Sequence, residues 1–179
     1  MQWVEALQAR LPQGSAVLDL GCGGGGPATR SLAERHEVLG VDISERQLER
    51  ARRLVPKARF LRADATEVEL ERASFDAVVS LFLLGHVPRA KQRPLVEQIF
   101  DWLRPGGWFL GTLGTADAAD EIVDEWLGAP MFFASHDEHW NRDTLLGAGF
   151  VLEDARVVPF EEPGHGVVRF MWVLARKPA

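Results

Sequence analysis

Apolar residues along the chain switch between two spacings. Ala16-Val17-Leu18-Asp19-Leu20 is a nearly continuous apolar run that ends on glycines, the pattern of a strand covered on both faces. Pro27 stands where a helix would begin, at a first-turn position that needs no N–H. Glu37 to Val41 reads as a second strand. Ser44 and Gln47 have the spacing of a capping box, and Leu48, Ala51 and Val55 recur at helical intervals until Pro56. Ala58 to Leu61 is a short third strand, and the unbroken run Phe75 to Leu84 a central fourth. Between Pro88 and Leu103, residues Leu95, Val96, Ile99, Trp102 and Leu103 make a helical stripe, which Arg104-Pro105-Gly106-Gly107 stops. Trp108 to Leu113 is the fifth strand.

Strands alternating with helices imply parallel pairing through right-handed crossovers, hence a three-layer α/β sandwich. The remainder of the chain reads differently. A helix is expected near Ala116 to Leu127, then a loop, then a short helix capped by Asn141 and stopped at Gly149. Phe150 to Val158 and Val167 to Ala175 are two long strand-like runs. Only a turn containing Pro163, Gly164 and Gly166 separates them, so they must pair antiparallel. There is no internal repeat, low-complexity tract or linker, and one domain is expected over residues 1–179. Its parts are a short N-terminal helix (1–15), a nucleotide-binding half (16–113), and substrate-side helices with a final hairpin (114–179).

Charge and composition narrow the function. Against 20 Lys and Arg stand 26 Asp and Glu, a net −6 that disfavours non-specific binding to nucleic acid. Cys22 is the only cysteine, which excludes an intrachain disulfide and a multi-cysteine zinc site and suits a reducing cytoplasm. The first residues lack the pattern of a signal peptide, and no apolar run reaches the roughly 18 residues of a membrane span. The expected localisation is cytoplasmic, without a membrane or nucleic-acid partner.

The densest information lies in Val17-Leu18-Asp19-Leu20-Gly21-Cys22-Gly23-Gly24-Gly25-Gly26-Pro27. Gly21, Gly23 and Gly26 match G-x-G-x-x-G between a strand and a helix, and Asp42 follows Gly21 by 21 residues at the end of the second strand. That arrangement suits a nucleotide: glycines let the backbone approach it, and a carboxylate accepts from ribose hydroxyls. Asp19, two residues before the loop, would repel a pyrophosphate and favour a ligand carrying an ammonium and a sulfonium.

At these residues the chain resembles the class I S-adenosylmethionine-dependent methyltransferases, in particular small-molecule members of the type 11/12 kind. Val17 to Gly23 looks like their first motif, with Gly25 as its third glycine. Val41-Asp42-Ile43-Ser44 is similar to the second, where Asp42 would take the ribose hydroxyls and Ile43 pack on adenine. Arg62-Ala63-Asp64-Ala65 resembles the third, where Asp64 would meet the adenine amino group. Phe75-Asp76-Ala77-Val78-Val79-Ser80 is similar to the fourth-strand motif, and Leu103-Arg104-Pro105-Gly106-Gly107 to the turn before the fifth strand. The resemblance implies a seven-stranded, mostly parallel sheet in the order 3-2-1-4-5-7-6. It also implies S-adenosylmethionine as cofactor and S-adenosylhomocysteine as product. The implied cofactor site comprises Asp19, Gly21, Cys22, Gly23, Gly25, Asp42, Ile43, Gln47, Asp64, Ala65, Ser80 and Leu81. Two departures stand out. Only 15 residues precede Ala16 where relatives carry a longer helical lid, which implies an open site, a large substrate or closure by a partner. Gly85-His86 occupies the place where many relatives have His-His.

Methyl transfer from a sulfonium is an in-line displacement, so the protein mainly positions the nucleophile and adds a base where that nucleophile must lose a proton. His86, just past the fourth strand, and His136 and His139, in Ser135-His136-Asp137-Glu138-His139-Trp140, are the candidate bases. The His-x-x-His spacing also admits a divalent metal, although a polar loop leading into the next helix explains it as well, and no metal is expected. His165 is expected to face solvent in the final turn, and His36 to sit charged at a helix end. Cys22 reads as a small buried residue. Trp126, Met131, Phe132, Phe133 and Trp140 divide between helix packing and an apolar acceptor pocket. Asp117, Asp120, Glu121, Asp124 and Glu125 read as a solvated helix face, and Arg50, Arg52, Arg53, Lys57 and Arg59 as a solvated basic one.

The expected partner is a small-molecule acceptor, and the expected assembly a monomer or homodimer. Two other readings remain. One is an NAD(P)-dependent oxidoreductase, against which stand Asp19 and the absence of any Tyr for a Tyr-x-x-x-Lys dyad. The other is a non-catalytic S-adenosylmethionine-binding module or subunit.

Overall fold

The computed structural model describes residues 1–126, 128–162 and 166–179. Five parallel strands form the first part of the sheet: β1 (Ala16–Leu20), β2 (Glu37–Asp42), β3 (Arg59–Arg62), β4 (Phe75–Ser80) and β5 (Leu103–Leu113). The crossovers are α2 (Pro27–Ala33), α3 (Glu45–Leu54) and α4 (Arg89–Trp102), preceded by α1 (Gln2–Gln8). Ser44 caps α3, its hydroxyl accepting from the Gln47 N–H. The run after Val79 does not continue as strand to Leu84. β4 ends at Ser80, and Leu84–His86 form one 3-10 turn that leads into α4.

Beyond β5 the chain forms β6 (Ala118–Trp126), β7 (Ala129–Ser135), α5 (Glu138–Ala148), β8 (Val151–Glu162) and β9 (Gly166–Arg176). The main sheet has the order β3-β2-β1-β4-β5-β9-β8. With the separate β6-β7 pair set aside, this is the 3-2-1-4-5-7-6 order that the family resemblance implies. β9 runs antiparallel to both β5 and β8.

The region between β5 and α5 corrects the reading of a helix over 116–127. Ile122 and Val123 stand opposite Phe132 and Met131 in a hairpin, and Gly128, at φ 88°, turns the chain. Cross-strand pairs of β-branched and large apolar side chains outweigh the helical preference of the Ala, Asp and Glu around them. The five acidic residues therefore do not share a helix face, and the substrate side holds one helix rather than two. The cap of that helix also differs. Asp137 caps α5 by accepting from Trp140 N–H at 2.8 Å. Asn141 lies buried one turn in, its amide donating to the carbonyls of Gly114 and His136. Gly149, at φ 104°, ends the helix as the sequence predicts.

Alternation along β1 builds both sides of the core. Leu18 and Leu20 face α4 and α5 with Leu95, Ile99, Phe109 and Leu145, while Val17 faces α1 and α2 with Leu7, Leu32 and Leu110. Each such side chain, fully withdrawn from water, contributes about 1.5–3 kcal/mol. No helix among the described residues is long and apolar enough to cross a membrane.

Candidate functional site

The glycine loop leaves β1 by a left-handed turn. Gly21 has φ 76°, and a Cβ there would come within 2.9 Å of the Leu83 Cβ, so the position demands glycine twice over. The N–H groups of Gly21 and Cys22 both donate to the carbonyl of Val41, at 2.8 and 3.1 Å. Gly23 N–H donates to Asp42 Oδ2, and Ser44 N–H to Asp42 Oδ1, each at 2.9 Å. Asp42 is thereby held between the loop and the start of α3. Gly25, at φ 72°, lies so close to α3 that a Cβ would meet Val55 and Ala51 at 3.0–3.2 Å. Gly26 has open space around it and caps α2, so Gly25 rather than Gly26 is the glycine that packing requires there.

Next to this loop lies a cavity of about 210 Å³. Gly21, Asp42, Ile43, Asp64 and Ala65, five of the residues expected at the cofactor, line it. Asp64 Oδ1 is fixed by the N–H and hydroxyl of Thr66, both at 2.8 Å. Ile43 is 64% exposed, an apolar surface beside two carboxylates. The opposite wall is Leu83, His86, Val87, Pro88 and Lys91, from the segment after β4. Sequence reasoning missed most of that wall, because nothing in its residue types announces that the segment folds back over Gly21.

The other expected cofactor residues line neither this cavity nor the one described next. Asp19 is buried beneath the loop, its Oδ2 accepting from the Thr29 hydroxyl at 2.7 Å. Burial pushes its carboxyl up to about 6; the Thr29 hydrogen bond opposes the rise and the charge of Asp42 adds to it. Cys22 packs against β2 near Gly40, and burial drives its thiol far above the ordinary range, with Asp19 and Asp42 acting in the same sense. Gly23 meets nothing on its Cβ side, and Gln47 is exposed on α3 near Gly24. Ser80 is fully buried, and Leu81 packs against the α1 side of the core.

A larger cavity of about 520 Å³ opens between the carboxyl end of β5, the β6-β7 hairpin and the β8-β9 pair. Phe82, Trp126, Phe133, Phe160 and Phe170 supply aromatic walls, and Thr112, Thr115 and Ser135 supply hydroxyls. Phe82 adopts a left-handed backbone (φ 59°), rare for a bulky residue. Its N–H donates to Thr112 Oγ1 at 2.6 Å, and its ring packs on Phe160, Phe170 and Trp172. His86 lines both cavities.

Residues 17–107 match the family model for a methyltransferase domain. The chain is a class I S-adenosylmethionine-dependent methyltransferase domain. Over 124 residues it is 33% identical to a malonyl-[acyl-carrier protein] O-methyltransferase of Enterobacter lignolyticus, covering 68% of this chain and 49% of that protein. The chain thus spans about half the length of that curated relative. Its fold matches a methyltransferase from Methanosarcina mazei with a TM-score of 0.84 at 18% identity, over 97% of both chains. It also matches a 1,6-didemethyltoxoflavin-N1-methyltransferase of Burkholderia thailandensis, solved with 1,6-didemethyltoxoflavin and S-adenosylhomocysteine bound. There the TM-score is 0.76 at 22% identity, over 99% of this chain and 77% of that one.

Within the methyltransferase domain the candidate histidines separate. His86 alone among the three lies at the cavities; its Nδ1 is 2.8 Å from the carbonyl of Phe132, and its ring packs on Phe133. His136 is buried, stacked on Trp140 at 3.5 Å with Nδ1 3.0 Å from Arg89 Nη2. Burial and then the Arg89 charge hold its imidazole below the ordinary value. His139 is exposed on α5 beside Asp143. His136 and His139 line neither cavity and face different partners, so His-x-x-His does not converge on one point. No group of three or more metal-ligating residues forms among the described residues. His36 is buried after α2, and burial lowers its imidazole, which corrects the expectation of a charged helix end. His165 lies outside the described residues.

The large apolar residues after β5 also sort themselves. Trp126 and Phe133 line the large cavity, Trp140 covers His136, and Met131 and Phe132 are half-buried on the hairpin; none is core. Of the acidic group, Asp117 and Asp120 bind Arg89, and Glu121 lines the cavity.

Proposed function

We propose that this domain transfers the methyl group of S-adenosylmethionine to a small, partly apolar acceptor held in the larger cavity. The observation that carries the reading is His86 standing as a common wall of the two cavities. The residues of the smaller cavity fit the cofactor. Asp42 and Asp64 offer acceptors for hydroxyl and amino groups, and exposed Ile43 offers an apolar face for a ring. Bound there, S-adenosylmethionine supplies an activated methyl group on sulfonium. Asp42 orients the cofactor, buried Asp19 contributes negative charge toward its cationic end, and Gly21 and Gly23 allow close approach. The aromatic walls bind the acceptor and exclude water, and His86 takes a proton from an acceptor hydroxyl or amine. A cavity near 520 Å³ is of the size that encloses a drug-sized molecule. The same reading has the domain act in the cytoplasm, as a monomer or homodimer, without nucleic acid, in keeping with its net charge of −6.

The test is calorimetric titration with S-adenosylmethionine, S-adenosylhomocysteine, NAD and NADP in parallel. Micromolar binding of the first pair alone is expected. Binding of a nicotinamide nucleotide instead overturns the reading. Cofactor binding without turnover across a screen of aromatic hydroxyl and amine acceptors assigns the domain to non-catalytic binding.

A further inference from the structure

The contact between His86 and the hairpin has a chemically fixed direction. A carbonyl oxygen only accepts, so Nδ1 of His86 donates to Phe132 O across their 2.8 Å separation. The neutral ring then carries its hydrogen on Nδ1 and leaves Nε2 bare. Free imidazole side chains in water favour the opposite tautomer. The adjacent Phe133 ring, 5.0 Å from the imidazole centroid, packs against the same side chain. Two successive residues of β7 thus set both the hydrogen and the orientation of His86.

The hairpin itself is held from the first turn of α4. Arg89 Nη1 donates to Ala118 O on β6 at 3.0 Å and to Ser135 O on β7 at 3.1 Å. One guanidinium therefore ties both strands at the open end of the hairpin. Its Nη2 reaches His136 Nδ1 and pairs with Asp117, and the Arg89 N–H donates to Asp120 Oδ1 at 3.1 Å. Gln92, one turn on, donates to Ala134 O on β7. An arginine fork suits this task, because five N–H donors in fixed geometry satisfy several acceptors at once.

We infer that the hairpin, latched by Arg89, holds His86 through the Phe132 carbonyl in the Nδ1–H tautomer, which makes Nε2 the atom that takes the acceptor's proton. This rests on the methyltransferase reading above. The acceptor's O–H or N–H proton passes to Nε2 as its electron pair bonds the methyl carbon. The C–S pair remains on the departing thioether sulfur. The imidazolium keeps its Nδ1–H on Phe132 and returns the Nε2 proton to solvent, to which the ring is exposed. Arg89 and Phe132 are positioning residues: they touch neither cofactor nor acceptor and act through His86.

Long-range ¹H–¹⁵N NMR on the full chain reads the tautomer directly. The spectrum is recorded near pH 9, where histidine side chains are neutral, and the His86 signal is assigned from its loss in His86→Gln. Wild type is expected to show hydrogen on Nδ1 of His86. Arg89→Met is expected to move His86 toward Nε2–H, and Asp117→Asn combined with Asp120→Asn to move it partway. The double variant alters only two exposed carboxylates, Asp117 just before β6 and Asp120 on it, so it carries the test if Arg89→Met fails to fold. Nε2–H in wild type, or an unchanged Nδ1–H in folded Arg89→Met or in the double variant, overturns the inference. Calorimetry on the same samples separates the two levels. Micromolar S-adenosylmethionine binding with the wrong tautomer removes only the positioning inference. The expected tautomer without binding removes the proposed function.

Discussion

The two cavities are built by opposite means. The smaller borders a loop fixed by its own backbone: the N–H groups of Gly21, Cys22 and Gly23 are pinned to Val41 and Asp42, and a Cβ at Gly21 or Gly25 would collide with its neighbours. The larger is made of side chains: five aromatic rings under a two-stranded flap whose outer face is open to solvent. Such a cradle, a loop held by its backbone, tolerates little change in residue type. A side-chain chamber can be relined without disturbing the sheet that carries it, which is how a single scaffold comes to serve many acceptors.

Four predictions bear on that contrast, and the largest effect is expected in the cradle. Asp42→Ala removes the acceptor of both the Gly23 and Ser44 N–H groups and should weaken S-adenosylmethionine binding by about 100-fold or more, equivalent to about 3 kcal/mol. Unchanged affinity by calorimetry would show that the cofactor sits elsewhere. Asp19→Asn separates stability from binding. The native carboxyl ionises near 6, against 3.8 for an unperturbed one, so the empty protein loses stability as pH rises between those values. Above pH about 6 the amide, which still accepts from Thr29, should stabilise the empty domain by up to about 3 kcal/mol. The same variant should bind S-adenosylmethionine more weakly than wild type. It should also lose the decline in affinity that wild type shows as pH falls through about 6. A lower melting temperature for Asp19→Asn would contradict this account.

In the chamber, Trp126→Ala deletes a ring packed edge-on at 4.7 Å to Phe133. It should leave S-adenosylmethionine affinity within about twofold and cost about 1 kcal/mol of stability. A loss of cofactor affinity comparable to that of Asp42→Ala would break the contrast. The smallest effect concerns His136. Its native imidazole titrates below the ordinary 6.5, so its contribution is complete above that value and is lost as pH falls below it. Protonation sets a second donor against Arg89 Nη2. Proteolytic cleavage within 118–135, at constant global stability, should therefore rise modestly between pH 7 and 5, and a pH-independent rate would count against the latch.

The same contrast governs what the sequence reveals. The cradle is legible because its constraints act on residue type: glycines where a Cβ collides, an aspartate where two N–H groups need an acceptor, a serine at a helix cap. Connection lengths told parallel from antiparallel pairing, and the strand order came from the family resemblance. The chamber was opaque. Ile122 and Val123 carry no strand signal strong enough against their acidic neighbours, and their partners Phe132 and Met131 lie about ten residues further along the chain. Arg89 and Gln92 look like ordinary first-turn residues of α4, and their contacts with the carbonyls of Ala118, Ser135 and Ala134 leave no trace in composition. His136 and His139 looked alike by spacing, yet a buried stack on Trp140 and a solvent-facing turn of α5 gave them different lives.

The placement of β9 between β5 and β8 has a consequence for how the molecule comes into being. On a ribosome, every residue of the smaller cavity, from Gly21 to Lys91, has emerged before the strand that closes the sheet is made. Until residues 166–176 arrive, β5 has a neighbour on one side only, and Phe82 lacks Phe170 and Trp172, two of the rings that hold its left-handed backbone. The cradle belongs to the early chain and the chamber to the finished one.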